Sequence, residues 1–178
     1  IPVTAAGGRS SVVGGTVPVH GGIVLDLTGL QGVVDIDVDS GIVEALAGTF
    51  GPDLETAVRA RGLTVGHHPQ SMDISTVGGW VACRGAGQFS TRYGKIEDIV
   101  CGLDVVLANG RRLHTGGSPR QAAGPDLNQL FVGSEGTLGV IVEAELKLHP
   151  APTHERRGAW GFASFGDGLE ACRRILRR

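Results

Sequence analysis

The sequence predicts an α+β fold with a mixed β-sheet, and three observations support this prediction. Short β-branched runs recur along the 178 residues, a few helical segments lie between them, and 30 glycines punctuate both. Only five Phe, two Trp and one Tyr are present, so the core is predicted to consist of Val, Leu, Ile and Ala. Because apolar runs recur between the glycines, low-complexity disorder is excluded.

The first part of the chain contains three predicted strands followed by a helix. The strands are Val24 to Leu27, Val33 to Val38 and Gly41 to Ala47, and a glycine-containing turn separates the first two. The helix runs from Pro52 to Arg61. It has proline at an early helical position, acidic residues in its first turn and arginines in its last, followed by Gly62.

A second helix and a hairpin are predicted further along. Val77 to Cys83 has the pattern of a short helix. Ile99 to Leu107 and Arg111 to His114 are predicted to pair, because the Asn109-Gly110 turn between them tolerates positive φ angles.

Two further strands are predicted before a boundary. Asp126 is expected to cap a short helical turn before Phe131. Leu138 to Val142 and Ala144 to Leu148 then have strand composition, with the charged Glu143 between them.

Pro150-Ala151-Pro152 marks the predicted boundary, because two prolines stiffen the chain and end strand pairing. Residues 1–152 are therefore assigned to one domain and residues 153–178 to the start of a second. In the second, Ala159 to Phe165 is predicted as a strand and Gly168 to Leu176 as an amphipathic helix. Since one strand and one helix cannot form a domain, and the chain opens without Met, we expect a piece of a longer protein.

Charge and cysteine content narrow the class of protein. A net charge of −2 with scattered arginines argues against a nucleic-acid partner. Cys83, Cys101 and Cys172 show neither pairing logic nor metal-ligand spacing, which predicts a reducing, cytoplasmic location. No apolar run approaches the ~20 residues that span a bilayer. His67-His68 has no carboxylate or cysteine at ligand spacing, so no metal site is predicted.

Four glycine-centred segments carry the main functional signal, and they are Ala5 to Ser11, Ser75 to Val81, Cys83 to Gly87 and Gly133 to Ile141. The second offers an anion two hydroxyl groups and then peptide N–H groups with no Cβ in the way. One such segment is more typical of a turn. Four of them, three with Ser or Thr, indicate a long phosphate-bearing ligand that spans several loops. Neither of the usual nucleotide motifs, G-x-G-x-x-G and G-x-x-x-x-G-K-[ST], is present.

These segments resemble the FAD-binding domain of the vanillyl-alcohol oxidase and p-cresol methylhydroxylase family. The resemblance rests on Gly7 to Ser10, Pro69 to Gly87, Tyr93 to Val100 and Gly133 to Ile141, which follow the family's order. It implies a two-lobed, PCMH-type α+β domain with mixed sheets and with FAD extended between the lobes. The first strand and helix of a substrate-binding cap would follow.

Within the family, some segments are most similar to the alkylglycerone-phosphate synthase branch. They are Ser75 to Val81, Tyr93 to Asp98 and Gly124 to Asp126. The FAD-linked glycolate and D-lactate dehydrogenases share the scheme with more differences.

The resemblance implies a role for each glycine-centred segment. The first would bind the FAD pyrophosphate through backbone N–H groups, and the second would hold the pyrophosphate and ribityl chain from the other side. The third would line the path towards the flavin, and the fourth would pack near the adenine or ribose end. The implied cofactor-binding residues are Ala6, Gly7, Gly8, Arg9, Ser10, Ser11, Gln70, Ser71, Ser75, Thr76, Gly78, Gly79, Cys83, Arg84, Gly85, Ala86, Glu135, Gly136, Thr137, Leu138, Gly139, Val140 and Ile141.

Departures from the family predict that FAD binds without a covalent link. Some relatives bond the flavin to a histidine in the first loop, but Gly7 to Ser11 contains none. Others use a cysteine before the Thr-Val-Gly stretch, where this chain has Ile74 and Ser75. Arg9, which stands where a threonine is commoner, and Arg84 are predicted counter-charges to the two phosphates.

The resemblance implies an FAD-dependent enzyme with a small-molecule substrate, and three alternatives stay open. In the synthase alternative, the flavin N5 traps a dihydroxyacetone-phosphate unit before a fatty alcohol replaces its acyl group. In the oxidoreductase alternative, a hydride passes from a small alcohol or hydroxy acid, of glycolate or D-lactate type, to N5. The third alternative is a non-catalytic FAD-binding module. No catalytic residue is predicted, because relatives supply those groups mainly from the cap and beyond. Substrate, electron acceptor, membrane association and homodimer formation are left open.

Overall fold

The computed structural model describes residues 1–177. In chain order its elements are β1 (Val3–Ala6), β2 (Ile23–Asp26), β3 (Val33–Asp37), β4 (Ile42–Leu46), α1 (Gly51–Arg59), β5 (Leu63–Thr64), α2 (Val77–Ala82), α3 (Ser90–Tyr93), α4 (Ile96–Ile99), β6 (Val100–Val106), β7 (Arg112–Gly116), α5 (Asn128–Phe131), β8 (Val140–Lys147), β9 (His149–Pro150) and α6 (Phe165–Leu176).

A five-stranded antiparallel sheet in the order β3-β4-β8-β6-β7 forms the centre of the fold. Side chains alternate between its faces, so that Val43 and Ala45 of β4 and Ala144 and Leu146 of β8 are all buried on one side. The buried face shares one apolar cluster with α1 and α2, to which Leu54 of α1 belongs. The predicted aliphatic core is therefore confirmed.

The α+β class is confirmed, but the two kinds of strand pairing occur in separate sheets. The central sheet is antiparallel throughout, whereas β1 and β2 form a separate parallel pair. A third small sheet joins β5 to β9. The parallel pair ends at Ala6 and Asp26, so the chain leaves β1 directly into the first glycine segment.

Most predicted elements form within a few residues of their expected bounds. The helix that starts near Pro52 places Asp53 in its first turn and Arg59 in its last, where they complement the helix dipole. The predicted cap also forms, since an Asp126 carboxylate oxygen accepts from the Asn128 N–H at 3.0 Å. The short elements β5, β9, α3 and α4 carry no periodicity by which sequence could have found them.

The predicted break at Glu143 is wrong, because β8 runs through it without interruption. Glu143 pairs with Asp104 of β6, and Glu145 pairs with Glu44 of β4. The sheet's alternation turns these carboxylates away from the core, so a charged residue costs the strand little there.

The carboxyl group of Glu143 lies on that outer face and has a raised pKa. A hydrogen bond with Glu44, burial and the nearby Asp104 raise the pKa of Glu143 to about 7. Arg112 lowers the pKa of Glu143 in part, because its Nη2 lies 3.5 Å from Glu143 and 2.6 Å from Asp104. Because the folded protein binds this proton more tightly than the unfolded chain does, stability falls as the pH rises from the ordinary value of 4.5 to about 7.

We expect Glu143→Gln to stabilise the protein at pH 8 and to leave it unchanged near pH 4.5. The amide cannot ionise, so a gain on the order of 1 kcal/mol at pH 8 follows from removing the deprotonation cost. Urea unfolding of both proteins at pH 4.5, 6 and 8 measures it. Parallel stability curves across that range would contradict the assignment.

The predicted strand at Ala159 to Phe165 is wrong. Trp160 is 74% exposed, and none of residues 1–177 pairs with this segment as a strand neighbour. The helix α6 instead begins at Phe165, where the Ser164 hydroxyl accepts from the Asp167 N–H at 3.2 Å as an N-cap. The domain boundary at residues 152 and 153 stays a prediction.

None of the helices formed by residues 1–177 has the length and apolar character needed to cross a membrane.

Candidate functional site

A cleft of about 620 Å³ lies where the four glycine-centred segments meet. Every predicted cofactor-binding residue lines this cleft except Arg84, Thr137 and Leu138. The cleft also takes side chains that were not predicted, and the largest are Leu27, His67, Ile74 and Trp80. The structure thus brings the first glycine-centred segment, near the start of the chain, next to the fourth, which begins at Gly133.

The first wall is the loop that leaves β1, from Gly7 to Ser11. Among residues 1–177, no partner accepts a hydrogen bond from the backbone N–H groups of this loop. Arg9 adopts φ 54°, a left-handed conformation that is uncommon for a side-chain-bearing residue. A row of unpaired N–H groups around such a residue forms a concave anion-binding surface.

The loop lies directly against the segment before α2, and glycine makes this approach possible. A Cβ on Gly8 would overlap the carbonyl oxygen of Ile74, and one on Gly7 would overlap the Thr76 hydroxyl. Only glycine therefore allows the two backbones to lie at this distance.

The second wall, Ser75 to Gly79, divides its polar groups between the fold and the cleft. The Ser75 hydroxyl accepts from the Trp80 indole N–H at 2.6 Å, and the Gly78 N–H donates to the Ala47 carbonyl at 2.8 Å. Thr76 is the N-cap residue of α2, yet its side chain makes no capping hydrogen bond. The Gly79 N–H likewise has no acceptor in residues 1–177. Thr76 and Gly79 are thus the groups left free for a ligand.

The third wall comes from Glu135 to Ile141. Glu135 has φ 51°, and its N–H donates to the Ala82 carbonyl at 3.0 Å, which fixes the segment to the end of α2. Gly139 lies against β6, where an added Cβ would stand 2.6 Å from a Val105 methyl group. The start of β8 then supplies apolar side chains to the cleft.

The two predicted counter-charges are placed differently. Arg9 lines the cleft and forms an ion pair with Asp26 at 3.0 Å, with both side chains about half exposed. Arg84 points elsewhere, with Nη2 2.9 Å from the Val132 carbonyl and Nη1 3.8 Å from Glu97. Its backbone is left-handed, with φ 53°.

Two other predicted residues also lie outside the cleft lining. The Thr137 hydroxyl donates to the Ser134 carbonyl at 2.6 Å, and Leu138 is half exposed. The Thr137 bond closes the turn that carries Glu135 and Gly136, which do line the cleft.

His67 is the main cleft residue that sequence reasoning missed. It is 2% exposed, and its ring lies edge-on to Trp80 with 4.8 Å between centroids. Burial, followed by the neighbouring His68, lowers the pKa of His67 to about 4, so the ring is neutral near pH 7. His68 is exposed, so the two histidines do not converge. No group of three or more metal-ligating side chains occurs in the described part of the chain.

Cys83 is the only cysteine in the lining of the cleft that the described residues form. Burial and the nearby Glu135 raise the pKa of its thiol. The thiol is therefore protonated at neutral pH, which makes it a weak nucleophile.

The cleft offers unpaired N–H groups, the free hydroxyl of Thr76 and apolar side chains. This combination suits an elongated ligand with both anionic and apolar parts. Comparison with known proteins identifies the family of the chain. The family model described as the FAD binding domain matches residues 1–116.

Curated relatives include two kinds of enzyme. The chain is 38% identical over 153 residues to the alkyldihydroxyacetonephosphate synthase of Caenorhabditis elegans, covering 86% of this chain and 26% of that protein. It is 40% identical over 153 residues to the glycolate oxidase subunit GlcD of Bacillus subtilis (strain 168), covering 85% of this chain and 33% of that protein. The chain therefore spans between a quarter and a third of the length of these relatives.

A solved structure of an alkyldihydroxyacetonephosphate synthase has the same fold. It superposes with a TM-score of 0.77 at 33% sequence identity, covering 85% of this chain and 28% of that one. The chain accordingly belongs to the FAD binding domain family, and its cofactor is FAD.

Proposed function

We propose that the chain is the FAD-binding part of a larger flavoenzyme and that FAD lies in the cleft between the glycine-centred segments. The observation that carries the proposal is the row of unpartnered N–H groups from Gly7 to Ser11. Backbone N–H groups without an acceptor are costly unless water or a ligand satisfies them, and a diphosphate has several acceptor oxygens to offer.

The phosphates would bind between the first two walls. The N–H groups of Gly7 to Ser11 would donate from one side, and the Thr76 hydroxyl and Gly79 N–H from the other. Arg9 would contribute positive charge at the rim, which requires it to share or leave its ion pair with Asp26.

The heterocycles of FAD would contact the apolar part of the cleft. Trp80 is 3% exposed, and Ile141 is 6% exposed at the start of β8. These side chains would exclude water from the ring systems and fix their orientation, which is the contribution a protein makes to cofactor chemistry.

We propose that FAD is held without a covalent bond. Residues 7–11 contain neither histidine nor cysteine, and the Cys83 thiol in the cleft is held in its protonated form. At the position before Thr76 the hydroxyl of Ser75 is engaged by Trp80.

The reaction of the whole protein is proposed as that of an alkyldihydroxyacetonephosphate synthase. Bound FAD supplies a reactive N5 atom, and this chain supplies the diphosphate clamp and the apolar walls. Two observations support this alternative: the sequence of the segment Ser75 to Val81, and the structural similarity to an alkyldihydroxyacetonephosphate synthase at a TM-score of 0.77. A 2-hydroxy-acid oxidase is the second candidate, favoured by 40% identity to the glycolate oxidase subunit. Assays of the full-length enzyme with acyl-dihydroxyacetone phosphate plus fatty alcohol, and with glycolate or D-lactate, separate the two.

A reducing, intracellular location is proposed from the cysteines. Cys83, Cys101 and Cys172 are all free thiols in the described structure.

FAD binding is the test of the proposal. We expect the protein to bind FAD with a dissociation constant of about 1 μM or less, with a shifted flavin absorption band and quenched flavin fluorescence. Acid precipitation is expected to release all flavin into the supernatant, as a non-covalent link requires. A protein that leaves the FAD spectrum unchanged at 100 μM cofactor would overturn the proposal, and flavin retained in the acid pellet would overturn non-covalent binding.

A further inference from the structure

His67 is the one buried side chain with unsatisfied polar atoms that faces the cleft. Within residues 1–177, the buried side-chain atoms without a hydrogen-bond partner belong to His67, Glu97, Ser134 and His149. Only His67 lines the cleft, and both of its ring nitrogens lack a partner. Buried polar groups are nearly always paired in folded proteins, so this pair of orphaned atoms points to a ligand.

The groups around the ring hold it in place and leave both of its nitrogens buried without a partner. Trp80 packs edge-on to the imidazole and fixes its plane. Two glycines lie next to the nitrogens: a Cβ on Gly85 would stand 3.5 Å from Nε2, and one on Gly87 would stand 3.3 Å from Nδ1. Backbone without a side chain therefore borders both nitrogens, and Gly85 belongs to the lining of the cleft.

The charge state of the ring limits what it can bind. With its pKa lowered by burial, His67 is neutral at physiological pH and carries one N–H donor and one acceptor nitrogen. A neutral imidazole in an apolar wall suits an uncharged partner that has both donor and acceptor atoms. A phosphate is better served by the N–H groups of residues 7–11 on the other wall.

We propose that His67 forms hydrogen bonds with the uncharged flavin half of FAD, through its ring or its ribityl hydroxyl groups. This inference rests on the proposed function, because it presupposes that FAD occupies the cleft. It assigns the wall formed by His67, Trp80 and Gly85 to the flavin end of the cofactor and makes His67 a binding residue.

Two variants test the inference with a matched control. His67→Phe keeps a planar ring and removes both hydrogen-bonding atoms, while His67→Gln restores one donor and one acceptor. His68→Phe introduces the same change at the adjacent exposed position. Each protein is titrated with FAD, FMN and ADP, with flavin fluorescence as the readout and ADP followed by competition.

We expect His67→Phe to weaken FAD and FMN by about tenfold and ADP by less than twofold, as loss of a buried hydrogen bond to one half of the ligand requires. His67→Gln is expected to recover part of the loss, and His68→Phe to match the wild type. Unchanged FAD affinity in His67→Phe would overturn the inference alone. An equal loss of ADP affinity would place His67 at the adenylate half and overturn it as well. If the wild type binds no FAD, both this inference and the proposed function fail.

A measurement on the wild type covers the case in which His67→Phe does not fold. The ring nitrogens of ¹⁵N-labelled His67, assigned by triple-resonance NMR, are expected to show a neutral tautomer at pH 7 and to shift on FAD addition. ADP is expected to leave them in place. Ring resonances that do not respond to FAD would overturn the inference.

Discussion

Gly8→Ala is expected to weaken FAD binding by about 100-fold or more, because the added Cβ displaces the whole loop that carries the unpaired N–H groups. That Cβ would overlap the Ile74 carbonyl oxygen, which is backbone and cannot swing aside as a flexible side chain would. The first wall must therefore move away from the second. Flavin fluorescence titration measures the loss, and circular dichroism checks that the central sheet is intact.

Gly29→Ala is the matched control for this substitution. A Cβ there meets no atom within 4 Å, and the residue lies outside the left-handed region that favours glycine. We expect wild-type affinity for FAD and wild-type stability. If Gly8→Ala bound FAD as well as Gly29→Ala does, the first loop would not hold the phosphates.

Trp80→Ala is expected to cost about 3–5 kcal/mol of unfolding free energy, the usual range for truncating a buried aromatic residue. Trp80 is 3% exposed, belongs to the core cluster and donates to the Ser75 hydroxyl at 2.6 Å. Its removal leaves a cavity beside Gly51 and His67 and an unsatisfied Ser75 hydroxyl at the second wall. Urea unfolding followed by circular dichroism measures the change.

The second tryptophan provides the control. Trp160 is 74% exposed, so Trp160→Ala is expected to change stability by less than about 0.5 kcal/mol. Equal losses in the two variants would show that the core does not depend on Trp80.

The loops that line the cleft could be predicted because their signal is local. Glycine and small hydroxyl residues indicate a close approach of the backbone whatever the tertiary fold. Gly7, Thr76 and Gly136 all line the cleft. The strands and the helix α1 could be predicted for the same reason, since alternation and helix-end residues are short-range features.

The orientation of individual side chains could not be predicted from the sequence. Arg84 points away from the cleft, towards the Val132 carbonyl and Glu97, and only the tertiary fold brings these partners near it. His67 looked like an ordinary loop histidine, and only the tertiary fold places its ring against Trp80 and beside Gly85. Glu143 appeared to interrupt a strand because an isolated sequence does not say which sheet face is solvated.

The contact between Gly8 and the Ile74 carbonyl also bears on how the cofactor affects stability. The two residues lie far apart in the chain, so closing the first loop onto the second wall carries a loop-closure entropy. A cofactor that bridged the two walls would bind only when both walls are in place. FAD would then stabilise the folded protein by mass action, and the free energy of unfolding would rise with the concentration of the cofactor.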